Sequence, residues 1–398
     1  MAKEEDITRA LSGKARWNKW AEECLANNEA PSVDFSGHKI ETPSFEGFIF
    51  PGPANFSRAE FMNNAMFTDA VFHSDVKMDR TIFHGDTNFN GVEFKGSADF
   101  SHARFHWFAN FNGATCKEFS FSGAEVTGEA NFEGMQFERS AFAGVKFKHA
   151  LSRFTGANFR HVPDFRAATF EAPPLFQRVQ VTYARYQGPR LWRRWMSCAA
   201  DGDDAVKFRR LKQLASDWRD HEGELEYFGK ELQAKRFYET RGRGPIFLNW
   251  LYGALSNFGQ SIERPVFSLF VLIALASAAI LCNHAPGGPD HAIAVLGAVV
   301  ASVLCRITGH VWFAWLFFGT AAVALLVWSP PALVLALSNS VPFLGPSNWW
   351  SGCSVSNAFR PECEPRALPV LLAGMQSATS LVLLFLIGLA LRNRFRVG

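Results

Sequence analysis

The chain has 398 residues, and 40 Lys+Arg against 37 Asp+Glu leave a net charge of +3. That balance excludes a generically basic nucleic-acid binder and a strongly acidic mimic of DNA, so no nucleic-acid partner is expected. The 40 Phe beside only 5 Tyr point to one structural need met many times over.

Hydropathy divides the chain in two. From Pro265 to Gly398 only nine of 134 residues are charged, whereas the preceding sequence is polar and charge-rich. This predicts a soluble amino-terminal part joined to a membrane part. The opening MAKEEDITRA lacks a basic-then-apolar signal sequence, so the soluble part is expected to stay in the cytoplasm. Residues 1–30 are assigned to an N-terminal helical cap.

The phenylalanines follow a rule. Phe56, Phe61, Phe67, Phe72, Met78, Phe83, Phe89, Phe94, Phe100, Phe105, Phe111 and Cys116 are spaced alternately five and six apart, a strict period of eleven. The ladder resumes at Phe132, Phe137, Phe142 and Phe147 and continues through Phe154, Phe159, Phe165 and Phe170. Ala stands two residues before many rungs, as at positions 54, 59, 65, 70, 98 and 103. Neither period 3.6 nor period 2 aligns these positions. A chain that turns one large and one small apolar residue inward every five or six residues is rounding a corner each time. It therefore describes a narrow coil of short strands, stacked turn on turn.

Runs such as ANFSRAEF, ADFSHARF, ANFNGATC and ANFRHVPDF resemble the pentapeptide-repeat proteins. The resemblance implies a right-handed quadrilateral β-helix over residues 31–173, six or seven coils of about 20–22 residues, roughly 30 Å long at the strand spacing. Trp17-Asn18-Lys19-Trp20 followed by Asp34-Phe35-Ser36-Gly37 is also similar to the entry of such repeats. Some relatives mimic DNA through an acidic rod. Residues 45–171 hold 15 acidic and 12 basic residues, too weak an excess for that role. His73, His84, His102, His106, His149 and His161 mostly fall on outward positions and read as solvated.

Residues 174–264 are expected to form a helical neck and an interfacial helix. Phe208, Leu211, Leu214, Ala215 and Trp218 follow helical spacing after a candidate N-cap, Asp203. Leu225, Phe228, Leu232 and Phe237 mark a second helical run. The pair reads as an amphipathic hairpin packed on itself, or as an oligomerisation collar that passes movement to the membrane. Residues 246–262 carry Trp250 and Tyr252 with Arg241, Arg243 and Arg264 at their flanks, and suit a helix lying on the cytoplasmic leaflet.

Residues 265–398 are assigned to an α-helical transmembrane bundle of about four spans: Pro265–Cys282, 291–305, Val311–Trp328 and Leu368–Leu391. The loop 284–290 lacks Lys and Arg, while Arg392, Arg394 and Arg396 close the last span, which puts both termini in the cytoplasm of a multi-pass inner (plasma) membrane protein. The stretch Pro331–Leu344 is short for crossing the hydrocarbon. It reads as a re-entrant helix with an irregular turn at Ser338, Asn339 and Ser340, or as a helix packing the outer face. Gln376 and Ser380, four apart on the last span, line a wet path or bond to neighbouring helices. This last segment resembles that of bacterial pentapeptide-repeat membrane proteins.

The cysteines show no CxxC and no metal-ligand spacing. Cys353 and Cys363 share a polar loop and would pair if it faces an oxidising compartment. No HExxH, GxxxxGK, GxSxG or strand-linked GxGxxG is present, so neither an enzyme nor a cofactor or metal site is expected. Two functions fit. One is a homo-oligomeric ion channel or pore with the cytoplasmic rod as sensor or gate, lined by Ser338, Asn339, Ser340, Gln376 and Ser380. The other is a membrane-anchored scaffold whose β-helix binds a protein partner.

Overall fold

The computed structural model describes residues 4–41, 44–149, 151–191, 193, 196–284, 288–307, 319, 336–337, 340 and 367–396. They belong to two compact units, Met1–Gly242 and Arg243–Gly398.

The first unit is a parallel β-solenoid of about seven turns closed by helices. Each turn contributes short strands that pair only with the turns before and after. One seven-stranded sheet runs from Lys39–Ile40 to Thr169–Phe170 and one five-stranded sheet from Ala65–Met66 to Ser152–Arg153. The other two faces merge into a ten-stranded sheet, because Glu93–Asp99, Thr115–Ser120 and Gln136–Ala141 continue around a corner. The strands of the solenoid pair in parallel, with offsets of 21 residues (Ile40 to Phe61), 22 (Phe61 to Phe83) and 23 (Phe147 to Phe170). The stack continues past residue 173, where Gln180–Val181 pairs with Asn158–Phe159.

The predicted ladder is the core. Rings from successive turns stack face to face at nearly the strand spacing: Phe45–Phe67 at 5.0 Å, then 4.8, 4.9, 5.2, 4.9 and 5.1 Å through Phe89, Phe111, Phe132, Phe154 and Phe176. Corners are set by a second period. A left-handed residue recurs every ten to twelve positions from Gly37 to Arg178, with φ between 54° and 69°. Glycine fills most of these corners because L side chains strain there. At Gly113 a Cβ would meet no other atom within 4 Å, so backbone conformation alone selects the residue.

Both ends of the stack are sealed. Helices α1 (Glu4–Leu11) and α2 (Lys14–Ala26) cover the first turn. Trp17 is fully buried and its Nε1 donates to Ile49 O at 2.8 Å. Asn18 acts as a missing strand: its Nδ2 donates to Gly47 O at 2.8 Å, and its Oδ1 accepts from Ile49 N at 3.0 Å. The open edge thus loses the groups that would template another chain.

At the other end, α3 (Asp204–Asp217) and α4 (His221–Ala234) form the expected hairpin. It does not pack only on itself. Phe208, Leu211, Leu214 and Tyr227 belong to the same continuous core as the rod, and Trp218 meets Phe170 edge-on at 5.4 Å. Arg210 Nη2 donates to Ala168 O and Lys230 Nζ to Val181 O, each at 2.7 Å. Two details differ from the sequence expectation. Asp203 precedes α3 but makes no capping hydrogen bond, facing Arg166 at 3.8 Å instead. The buried face of α4 is Tyr227, Gly229, Glu231 and Ala234, leaving Leu225, Phe228 and Leu232 half-buried. The reason is that the helix turns Glu231 inward to meet three cations.

The second unit contains α5 (Arg243–Ser256), α6 (Glu263–His284), α7 (Gly288–Ile307) and α8 (Ala367–Arg396). α6 packs against α7, and α8 against α6 and α5. The expected interfacial helix ends early, at Ser256, where Asn257, Phe258 and Gly259 all take positive φ and turn the chain into α6. Among the described residues, one stretch, Met375–Arg394 of α8, is long and apolar enough to cross a membrane by length and composition, and most of it is not buried. The expected third span, Val311–Trp328, lies outside the described residues except for Gly319.

One irregularity in the ladder generates a test. Cys116 takes a phenylalanine slot, between Phe94 and Phe137 in register, while Phe119 takes the small slot between Ala98 and Ser140. The Phe119 ring leans on Phe137 at 5.4 Å, so a large and a small residue have exchanged places within one turn. Cys116→Phe, although it regularises the repeat, should overpack this turn and cost about 1–3 kcal/mol. Cys116→Phe with Phe119→Ala should recover most of that loss in chemical denaturation, whereas simple additivity of the two changes would refute the exchange.

Candidate functional site

Three places gather side chains that chemistry could use. The first is the outer surface of the rod. An open groove of about 350 Å³ crosses four turns, bordered by Glu93, Lys95, Lys117, Gln136, Glu138 and Arg160. Its residues come from equivalent positions one turn apart, so the parallel register aligns them in columns. Elsewhere on the rod, His84 and His106 stack at 5.3 Å, and Trp107 is 64% exposed. Gly128, one turn on, has no room for a Cβ, which would come within 2.4 Å of the Trp107 backbone. His84, His102, His106 and His149 are exposed, as outward positions require, and His73 and His161 are half-buried. Burial and the neighbouring Lys95 push His73 below the ordinary imidazole range. No cluster of three His, Cys, Asp or Glu residues able to hold a metal occurs among the described residues.

The second place is the terminal hairpin. Glu231 is almost fully buried, and its carboxylate receives Arg209 at 3.0 Å, Lys212 at 2.6 Å and Lys235 at 2.6 Å. Burial alone would raise its pKa, but hydrogen bonds from Lys212, Lys235 and Arg209 outweigh it and hold the group below the usual carboxylate range. Arg209 and Lys212 of α3 thus tie that helix to the buried carboxylate of α4, with Lys235 one turn on as the third cation, a structural arrangement that sequence spacing did not reveal.

The third lies in the second unit and includes residues flagged from sequence. Gln376 on α8 is buried, and its Nε2 donates to Ala336 O at 2.7 Å and to Ser340 Oγ at 2.9 Å. Ser340, also buried, donates to Ala336 O at 2.8 Å. Gln376 and Ser340, two of the residues named from sequence as a candidate pore lining, are thus hydrogen-bonded to each other within one chain. Ser380 follows one turn along α8, fully buried, and its hydroxyl has no partner among the described residues. Other hydroxyls on these helices bond to the carbonyl four residues back, as Ser277 does to Ile273 and Thr379 to Met375; Ser380 does not. Ser338, Asn339, Cys353 and Cys363 lie outside the described residues.

Residues 67–115 and 79–125 match the family model described as pentapeptide repeats (9 copies). The chain therefore carries pentapeptide repeats, and the match falls on the middle turns of the solenoid. No curated protein matches the chain, and no solved structure does.

The Glu231 network sets a pH dependence. Its carboxylate is depressed in the folded chain, so its contribution is complete above the ordinary carboxylate pKa and disappears as pH falls through the lowered value. Glu231→Gln should cost about 1–3 kcal/mol at neutral pH. Its melting temperature should also fall less steeply than the unaltered chain's between pH 5 and pH 3. Parallel curves would show that Glu231 is not the titrating group.

Proposed function

We propose that the chain is an integral membrane protein that holds a pentapeptide-repeat rod at the cytoplasmic face of the inner (plasma) membrane as a docking module for a protein partner. One observation carries this reading, the inverted polarity of the second unit. Its outer surface shows Phe270, Leu275, Ile293, Val300, Val382 and Phe385, while Ser277, Ser302, Ser340, Gln376, Ser380 and Asn393 are buried. Water favours the opposite arrangement. A bilayer favours this one, because polar side chains there find partners only inside the protein. We assign three of the expected spans to α6, α7 and α8; the other, Val311–Trp328, lies outside the described residues except for Gly319. Both termini are then cytoplasmic, because Arg264, Arg392 and Arg394 stand at one end of the helices and the segment 284–290 at the other end has no Lys or Arg. The rod supplies a groove bordered by columns of charged side chains, and an exposed Trp107, for docking. Nothing in this reading requires catalysis.

A second reading, a homo-oligomeric ion channel gated by the rod, is favoured by Ser380. A buried hydroxyl without a partner among the described residues, one turn from Gln376, suits contact with a wet path.

Phe385→Lys tests the membrane reading. Phe385 is 67% exposed, so in water the change is neutral. In a bilayer it costs about 2.5–3.5 kcal/mol near the helix centre and should deplete the carbonate-resistant membrane fraction. Carbonate-soluble unaltered protein would overturn the membrane reading. Planar-bilayer recording separates the two functions. Discrete conductance abolished by Gln376→Leu selects the pore, and silence across voltage and tension selects the docking module.

A further inference from the structure

The elbow between α5 and α6 is built more elaborately than a connection requires. Three consecutive left-handed residues, Asn257, Phe258 and Gly259, with φ of 49°, 57° and 80°, strain the backbone. The carboxyl end of α8 returns to this elbow, where Asn393 Nδ2, buried, donates to Gly259 O at 3.0 Å. The hydroxyl of Tyr252 reaches the same spot: a Cβ on Gly259 would lie 3.1 Å from Tyr252 Oη and 3.2 Å from Asn393 Nδ2.

Two guanidinium groups are anchored around this junction. Arg264 Nη1 donates to Gly253 O at 3.2 Å, and Arg392 Nη2 donates to Asn393 Oδ1 at 3.3 Å. Both side chains are exposed. A guanidinium has five N–H donors, so each arginine is oriented by one and presents others outward. Such preorganisation lowers the entropy cost of holding an anion. Arg394, two residues on from Arg392, is also exposed, and Glu263 is the acidic residue next to Arg264. On α8, Leu391, adjacent to Arg392, is exposed, as are Leu381 and Phe385 farther along.

We propose that Arg264, Arg392 and Tyr252 form a headgroup site for an anionic phospholipid, with the lipid phosphate on the two guanidinium groups and the Tyr252 hydroxyl. The acyl chains lie along the apolar face of α8. Arginine suits phosphate because its planar donors bind two oxygens at once. The excess of arginine favours an anionic headgroup over a zwitterionic one, whose ammonium it repels. The inference rests on the membrane reading above and specifies which lipid the unit selects.

The test uses the full chain, purified in a neutral detergent and stripped of lipid, with calorimetric titration. The probes are short-chain phosphatidylglycerol, short-chain phosphatidylcholine and inorganic phosphate. Phosphatidylglycerol should bind saturably and about tenfold or more tighter than phosphatidylcholine, and millimolar phosphate should not displace it. Arg264→Gln with Arg392→Gln should weaken phosphatidylglycerol about tenfold or more and leave phosphatidylcholine unchanged; Arg241→Gln should change neither. Equal affinity for the two lipids, or an unaltered double variant, overturns the proposal. Competition by inorganic phosphate overturns the lipid assignment in favour of a simple anion site. If the double variant does not fold, salt decides on the unaltered chain. Phosphatidylglycerol affinity should fall several-fold between about 50 and 500 mM salt, and a flat response overturns the site. Failure of the membrane reading is recognised separately, by carbonate extraction of the unaltered chain.

Discussion

Everything in the first unit depends on one constraint: a four-sided coil about 22 residues around has room at its axis for a fixed set of side chains. Each turn must present the same large groups at the same corners, since every ring is roof to one neighbour and floor to the next. The column from Phe45 to Phe176, with separations between 4.8 and 5.2 Å, is that constraint made visible. Strand spacing and ring stacking distance nearly coincide, so backbone pairing and core packing demand the same rise. Where the pattern lapses, as at Cys116 and Phe119, the volume is conserved within the turn.

The constraint creates a difficulty at the ends. A stack that repeats perfectly has no reason to stop, and its final turns expose unpaired backbone and apolar rings. Two unlike solutions occur. At the amino end a single side-chain amide, Asn18, takes both the donor and the acceptor that another strand would take, and Trp17 covers the rings. At the carboxyl end a helical hairpin brings its own apolar face, and long side chains, Arg210 and Lys230, reach the last carbonyls. The network at Glu231 keeps that hairpin closed, with the charge satisfied three times over and the burial cost thereby offset.

How much of this the sequence disclosed depends on how local the signal is. The rod was legible because its period of eleven is written in residue types whose inward positions nothing but a coil can align. The left-handed corners at Arg58, Arg80 and Ala167 were not legible, since these residues carry no mark of positive φ and tertiary packing imposes it. The hairpin was legible as two helices, but its target was not: an amphipathic stripe states that a face is buried and says nothing about what buries it. Glu231 was missed for a related reason, as its partners Arg209 and Lys212 sit on the other helix. In the second unit Gln376 stood out as polar within an apolar run, but its bond to Ser340 joins residues 36 positions apart, beyond any spacing rule.

The two units solve opposite forms of the same problem. In the rod, backbone polarity is satisfied between turns and side-chain apolarity is hidden at the axis, with Asn, Asp and Lys left outside. In the second unit each helix satisfies its own backbone, which frees the outer surface to be apolar and leaves the few polar side chains to find one another. Gln376 with Ser340 is such a pair, and Asn393 instead finds the backbone carbonyl of Gly259 in the elbow; each bond fixes α8 to a different part of the unit. α8 is consequently held at both ends of its buried face by hydrogen bonds, with Leu383, Leu386 and Ala390 packed between them. Apolar contacts alone discriminate poorly between rotations of a helix surrounded by apolar material, whereas a polar residue turned the wrong way loses its partner. The rotation of α8, and with it the placement of Arg392 beside Tyr252, is therefore set by two amides rather than by the leucines that make up most of its length.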